Sequence, residues 1–352
     1  MLVLGIESSC DETAVAVVRD GREIVTNQVA SQFDVHEKYG GVVPELASRS
    51  HIVDILPILK AALGDAGLAL TDIDGFAVAA GPGLVGSLLV GLEVAKGLAW
   101  SVDRPLVGVN HIEAHLTAPL IAYEGVEGLS GEPRFPYVGL VVSGGHTHLY
   151  LVEGVGRYTP IGATRDDAAG EAFDKVAKML GLSYPGGVKI DRLARGGDRA
   201  AHRFPRSMMN QDNLEFSFSG IKTAVLTHLR KNGHPELPDS QALKDLCASF
   251  QEAVVDVLVA KTFRAARQHG VEDVVISGGV SANSRLRERS LEVATSNSMR
   301  VHIPPLSLCT DNAAMIAGLG YHYLRRLEGR GFEAHELNAN SRLKMGALPP
   351  EA

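Results

Sequence analysis

The chain has 352 residues, with 34 Lys and Arg against 41 Asp and Glu, a formal charge of −7, and 45% hydrophobic and 21% charged side chains. These fractions exclude a disordered, collagen-like or coiled-coil protein, and the length predicts about two domains with ample core. Net negative charge argues against an autonomous nucleic-acid binder built on one large basic surface, because phosphate neutralisation needs clustered Lys and Arg.

Glu7, Asp11 and Glu12 follow the first apolar residues with no basic region before them, so no signal peptide is read there. The most apolar stretch, 84–100, is broken by Glu93 and Lys96 and falls short of the roughly 18 apolar residues of a membrane span. A cytoplasmic protein without membrane association is expected. Cys10, Cys247 and Cys309 are odd in number and form no C-x-x-C pair, which predicts reduced thiols rather than disulfides or a Cys-rich zinc site.

In chain order, residues 2–18 read as two β-branched runs around a tight polar turn, a hairpin. A helical pattern covers 84–100, and His111-Ile112-Glu113-Ala114-His115 follows. Residues 124–136 read as a surface loop, after which 137–152 repeat the first grammar: apolar strand, the turn Ser143-Gly144-Gly145-His146, apolar strand. Helical patterns cover 168–180, 243–269 and 312–327, with a loop at 231–239. A third Gly-rich turn, Ser277-Gly278-Gly279-Val280-Ser281-Ala282-Asn283, leads from a strand into a charged helix beginning near Ser281. Strands and helices mix throughout, predicting an α/β protein with two related halves. The boundary is placed near 107–110, with the last helix returning to the first half: a first lobe of 1–108 plus about 312–352, and a second of 109–311 carrying helical insertions. Two basic runs, Lys189, Arg192, Arg195, Arg199, Arg203 and Arg206, and Arg325, Arg326 and Arg330, read as solvated faces balanced by nearby acids.

Small residues in the three turns let backbone N–H groups approach an anionic phosphate, and hydroxyls add donors; Ser8, Ser9, Ser143, Gly144, Gly145, Gly278 and Gly279 suit such a cradle. None matches a Walker-type loop. His111 and His115 lie about 40° apart in helical projection and can reach one metal ion from one face. In the protease motif H-E-x-x-H the Glu lies about 80° from the bisector of the two His; Glu113 lies about 180° from it and points away from any metal. The pair needs a distant carboxylate, for which Asp311 is the best candidate, its alternative role being a helix N-cap. Two His and one carboxylate suit ferrous iron or zinc better than magnesium. Asp167, Glu171, Asp174 and Lys178 recur at helical spacing, a salt-bridged stripe unless the turn Tyr184-Pro185-Gly186-Gly187 and Asp191 bring them to a ligand. His36, His51 and His146 are assigned no role, and nothing near Cys10 in sequence would lower its pKa.

Five segments together resemble the TsaD family of bacterial tRNA adenosine threonylcarbamoyltransferases: residues 5–13, residues 40–49, His111 to His115, residues 142–147 and Ser277 to Asn283. The resemblance runs in order over about residues 1–326. It implies the actin, sugar kinase and Hsp70-like (ASKHA) ATPase fold, with two duplicated lobes around a nucleotide cleft. It also implies transfer of the threonylcarbamoyl group of threonylcarbamoyl-adenylate to the exocyclic amine of the adenosine 3′ of the anticodon, in tRNAs reading codons that begin with A, with AMP released. By resemblance His111, His115 and Asp311 bind the metal, one Fe(2+) per subunit, with zinc or magnesium as substitutes in vitro. Ser9, Val141, Val142, Ser143, Gly144, Gly145, Asp174, Gly187, Asp191, Gly278, Gly279 and Asn283 are the expected contacts of ATP, ADP or the adenylate. Asp11 or Glu12 is the candidate to accept the proton of the incoming amine. tRNA, a TsaB-like paralogue and a TsaE-like ATPase are the expected partners. Competing readings are a nucleotide-gated binding protein or a small-molecule kinase of the same fold.

Overall fold

A computed structural model describes residues 1–121, 132–328, 331 and 336–346. The expected surface loop at 124–136 therefore lies largely outside the described residues. The strands are β1 (Leu2–Glu7), β2 (Glu12–Arg19), β3 (Glu23–Ser31), β4 (Gly75–Gly81), β5 (Leu106–Asn110), β6 (Tyr137–Val142), β7 (Thr147–Gly154), β8 (Arg157–Ala163), β9 (Asp273–Ser277) and β10 (Arg300–His302). The helices are α1 (Phe33–His36), α2 (Pro44–Ala66), α3 (Val85–Ser101), α4 (His111–Thr117), α5 (Ala169–Met179), α6 (Gly186–Ala194), α7 (Ser219–Asn232), α8 (Gln241–His269), α9 (Ser284–Ser296) and α10 (Ala313–Arg326).

Two five-stranded sheets share one topology. The first runs β3-β2-β1-β4-β5, the second β8-β7-β6-β9-β10. In each, the first three strands form an antiparallel meander and the last two join parallel to its first strand. Both sequence hairpins are present, with Glu7 opposite Ala14 and Val142 opposite Thr147 at the turns.

In β1, β2, β4, β5, β6 and β9 residues alternate between two buried faces, which is why these strands read as nearly continuous apolar runs, whereas the edge strands β3 and β8 are largely half-buried or exposed. On the first sheet Leu4, Ile6, Phe76 and Val78 pack under Ile55 and Leu59 of α2 and Leu92 and Ala95 of α3. Its other face, with Val3, Ala77, Val107 and Val109, meets Ala313, Ile316, Ala317 and Leu324 of α10. The second sheet turns Val138, Leu140 and Ile276 toward α5 to α9, and Tyr137, Val141 and Val275 toward Ile112 and Leu116 of α4. Helix α4 thus lies between the sheets, against β5 and β4 of one, β6 and β9 of the other, and α10. Seven residues long and wholly buried, it is held by packing rather than propensity.

Helix boundaries fall within two residues of the sequence reading for α3, α5, α8 and α10. The charged helix after the third turn starts at Ser284 rather than near Ser281, because 279–282 form a 3₁₀ turn and Asn283 is the N-cap. The tail reads as patternless, yet residues 336–346 strap the first sheet: Leu337 is buried beside Leu106, Asn340 donates its N–H to Ala80 O, and Asn110 Nδ2 bonds Leu343 O and Lys344 O.

Candidate active site and metal centre

Strand β1 ends on Glu7, a carboxylate with no solvent exposure. Its Oε2 lies 2.9 Å from His111 Nδ1, and its Oε1 accepts the Ser9 N–H at 2.5 Å. His111 opens α4, capped by Asn110, whose Oδ1 accepts the N–H groups of Ile112 and Glu113. One turn on, His115 sets its ring against that of His111, with centroids 4.7 Å apart at 85°. The two Nε2 atoms stand 3.5 Å and 3.1 Å from one oxygen of Asp311.

Asp311 is not the N-cap of α10. Asn312 takes that role, its Oδ1 accepting the Met315 N–H at 3.1 Å, which leaves the Asp311 carboxylate for the histidines. Ligand atoms of His111, His115 and Asp311 all lie within 4.8 Å of one another. Two imidazole nitrogens and a carboxylate oxygen converging on a point, with one imidazole held from behind by a second carboxylate, fit a divalent ion with open positions.

Electrostatics follow from that convergence. Burial works to lower the His111 pKa, but the carboxylates of Asp311 and Glu7 raise it to about 9. Burial of Asp311 is outweighed by His111 and His115, which hold its carboxyl below the usual range. Burial lowers His115, and burial followed by His111 lowers His146 to about 3, so both imidazoles are neutral at pH 7.

Glu113 is on the far side of α4, as the helical projection requires. Its carboxylate accepts the Tyr323 hydroxyl and, at 2.6 Å, the Gly346 N–H of the strap, while burial raises its pKa to about 7. It joins α4 to α10 and the tail, out of reach of the histidine side and of any water activated there.

The residues expected to hold the donor are spread over the turns that follow β1, β6 and β9, over α5 and α6, and over the N-cap of α9. Ser9 points its hydroxyl at His111 Nδ1, 3.2 Å away, whereas Ser8 turns into α3, donating to Ser87 O at 2.9 Å; Ser8 is thereby withdrawn from the cradle. Val141 and Val142 bury their side chains on opposite faces of the second sheet, so only their main chains could reach a ligand. Gly144 and Gly145 are exposed, with open space where a side chain would stand. Gly278 has φ +90° and lies so close to Val142 that a Cβ would meet its carbonyl oxygen at 2.6 Å, so the turn requires glycine. Gly279 faces open space. Asp174 accepts the Gly186 N–H at 2.8 Å, which fixes the turn before Gly187. Asp191 accepts both the N–H and the hydroxyl of Ser284, next to Asn283. Asn283 Oδ1 caps α9 and its Nδ2 donates to Gln251 at 2.8 Å. Asp167 precedes α5 and binds Lys175 and Lys222, so the expected stripe breaks: Asp174 serves the turn, while Asp167 and Glu171 pair with Lys175.

Asp11 and Glu12 are both buried at the turn into β2. Burial raises the pKa of each, Glu12 further because Asp311 and Asp11 add negative charge. Asp11 Oδ2 has no hydrogen-bond partner among the described residues. The Cys10 thiol is pushed well up by burial and then by Asp11, so it is no nucleophile. His51 serves the same turn structurally, bonded to Thr13 Oγ1 at 2.7 Å and Cys10 O at 3.0 Å. In the basic run, Arg195 pairs with Asp191, Arg199 with Glu288 and Arg206 with Asp256, the balanced face that its spacing suggested.

Sequence reasoning missed Glu7, Asn110 and Asn312. Asn110 and Asn312 carried a signal, Asn110 standing immediately before His111 to His115 and Asn312 at the first position of the 312–327 pattern; Glu7 carried only its oddity as an acid ending an apolar strand.

The family model described as TsaD, tRNA N6-adenosine threonylcarbamoyltransferase, matches residues 23–318. A tRNA N6-adenosine threonylcarbamoyltransferase of Syntrophus aciditrophicus is 55% identical over 342 residues, 97% of this chain and 97% of the relative. One of Anaeromyxobacter dehalogenans is 56% identical over 339 residues, 96% of this chain and 98% of the relative. Among solved structures, full-length HypF in the phosphate- and nucleotide-bound form aligns with TM-score 0.57 at 12% identity, over 94% of this chain and 47% of that one. Component A of the (R)-2-hydroxyglutaryl-CoA dehydratase of Acidaminococcus fermentans aligns with TM-score 0.53 at 17% identity, over 92% and 98%. At these identities the structural likenesses speak to the fold alone, which is the two-lobed ASKHA type. Match to the family model and to near full-length relatives agrees with the motifs read in order along the sequence, and the chain belongs to the TsaD family of tRNA N6-adenosine threonylcarbamoyltransferases.

Proposed function

We propose that this chain carries out the reaction for which its family is named, and that the donor is threonylcarbamoyl-adenylate, the acceptor the adenosine 3′-adjacent to the anticodon in tRNAs reading codons that begin with A, and the leaving group AMP. The observation that carries the reading is the convergence of His111, His115 and Asp311 beside the Ser9 turn, within electrostatic reach of His146 in the turn of the second sheet. The lobes are assigned as 1–108 with about 312–352, and 109–311; packing of α10 on β1, β2, β4 and β5 supports this.

The acceptor amine attacks the carbamoyl carbon, the bond from that carbon to the phosphate oxygen breaks, and AMP leaves with the electron pair. The donor is a mixed anhydride, so no nucleophilic side chain is needed, in keeping with the deactivated Cys10 thiol. Gly144, Gly145, Gly278 and Gly279 would hold the phosphate through main-chain N–H groups, with Ser9 and Ser143 adding hydroxyls. Asp174, Gly187, Asp191 and Asn283 would fix the rest of the adenylate, with Val141 and Val142 contributing main chain only. The amine is a poor nucleophile, so orientation supplies much of the acceleration. Asp11 would take its proton: the unpartnered Oδ2 and the burial that makes its carboxylate more basic both favour this over a purely structural role, with Glu12 beside it. His111, His115 and Asp311 would hold one Fe(2+), zinc or magnesium substituting in vitro, and the ion when bound would stabilise negative charge developing on the donor oxygens.

With a charge of −7 the isolated chain should hold tRNA weakly and act with a TsaB-like paralogue and a TsaE-like ATPase. Exposed Ile52, Val53 and Leu56 on α2 and Val85 and Leu89 on the adjoining α3 support a protein partner. No described helix is long and apolar enough to cross a membrane, and we place the protein in the cytoplasm. The test is to supply threonylcarbamoyl-adenylate and unmodified tRNA to the chain with its partners and count products. One AMP released per threonylcarbamoyladenosine formed is expected. Phosphorylation of a small molecule in place of transfer would overturn the reading in favour of a kinase.

A further inference from the structure

We propose that Glu7 is a positioning residue for the metal centre, which through one carboxylate sets the orientation of His111 and fixes the turn that carries Ser9. The inference rests on the reading of His111, His115 and Asp311 as metal ligands.

A carboxylate with no solvent exposure is costly unless its oxygens are matched. No Lys or Arg is bonded to Glu7 among the described residues. Its partners are His111 Nδ1 at 2.9 Å on one oxygen and the Ser9 N–H at 2.5 Å on the other. An imidazole that gives its Nδ1–H to a carboxylate presents the lone pair of Nε2 at the opposite corner of the ring, and that corner faces Asp311 at 3.5 Å. The arrangement is carboxylate, histidine, metal site in line, and the second carboxylate makes the imidazole a better electron donor.

The other oxygen extends the role. The turn at 8–11 is held from Ser9 by Glu7, and the Ser9 hydroxyl lies 3.2 Å from the same Nδ1. A shift of the turn is therefore passed to His111 through one side chain bonded at both oxygens, linking the proposed phosphate cradle to the metal ligands. Aspartate, one methylene shorter, cannot span both partners from the same backbone position.

Glu7→Gln keeps the shape of the side chain and removes its charge. Competition with a chromophoric chelator for Zn(2+) should show the metal Kd of Glu7→Gln rising about 10- to 100-fold, with Glu7→Asp intermediate and Gly97→Ala, at an exposed position of α3 with open space around it, within about threefold of the wild type. Melts in the presence of excess chelator report the metal-free fold separately. If Glu7 merely closes the turn, both Glu7 variants lower the metal-free Tm and bind zinc as tightly as the wild type, which overturns the proposal and leaves the metal reading standing. If the wild type itself holds no zinc, the metal reading fails and the proposal falls with it.

Discussion

Strand β1 and helix α10 touch at Gly5, and Gly5→Ala tests whether that contact holds Asp311 in place. A Cβ at Gly5 would stand 2.7 Å from Ala317 N and 3.0 Å from Ala317 Cβ, and closer still to Ala313 O. Two of these three are main-chain atoms, which cannot rotate away. Contact becomes ordinary at 3.4 Å, so α10 must recede by at least about 0.7 Å. Overpacking of this kind costs about 1–3 kcal/mol, a loss of a few degrees in Tm for a chain of this size. Asp311 stands two residues before Ala313 and moves with it. Metal–ligand distances tolerate only about 0.2 Å, so the metal Kd should rise at least about tenfold. The assay is chelator competition for zinc beside thermal melts, with Gly97→Ala as control. Gly97 is exposed within α3 with open space around its missing Cβ, and alanine there should stabilise by about 0.5–1 kcal/mol and leave zinc affinity unchanged. A Gly5→Ala protein with a lowered Tm and wild-type zinc affinity would refute the claim that α10 packing positions Asp311.

Asn312→Ala removes the α10 cap and should cost about 1 kcal/mol in denaturant unfolding, and it should weaken zinc binding because Asp311 is then free to cap the helix in its place. Burial of Asp273 is outweighed by its bonds to Arg300 and His302, which depress its pKa in the fold. The stability this contributes is present above the unfolded carboxylate value of about 3.9 and is lost as pH falls through the lower folded value. Asp273→Asn should therefore lose about 2 kcal/mol at neutral pH and show a shallower decline in stability than the wild type below about pH 4; parallel acid limbs would contradict this. Asp11→Asn should reduce the transfer rate far more than it weakens adenylate binding, and unchanged turnover would remove Asp11 as the proton acceptor.

Local rules made much of the fold legible. The two polar turns between β-branched runs are real hairpins, and each opens a sheet of the same topology, so the duplication showed in the sequence. The i, i+4 spacing of His111 and His115 placed both rings on one face of a helix and sent Glu113 to the other. What could not be read were contacts set by long-range packing. Nothing local says that Glu7 meets a residue 104 positions away or that Glu113 holds a tail 233 positions on. Residues 336–346 have no periodicity because a strap is held through its main chain and single anchors such as Leu337. Asp311 and Asn312 both suit a helix start, and only the packing of α4 against α10 decides which caps and which faces the histidines.

Anaerobic metal analysis of the wild type beside His111→Ala, joined to transfer assays on unmodified tRNA with the partner proteins added back, tests the central claim most directly. The account predicts that metal and transfer vanish together in His111→Ala. Loss of metal with undiminished transfer would contradict it, making the His111, His115 and Asp311 cluster structural and moving the chemistry to Asp11 and the Gly-rich turns.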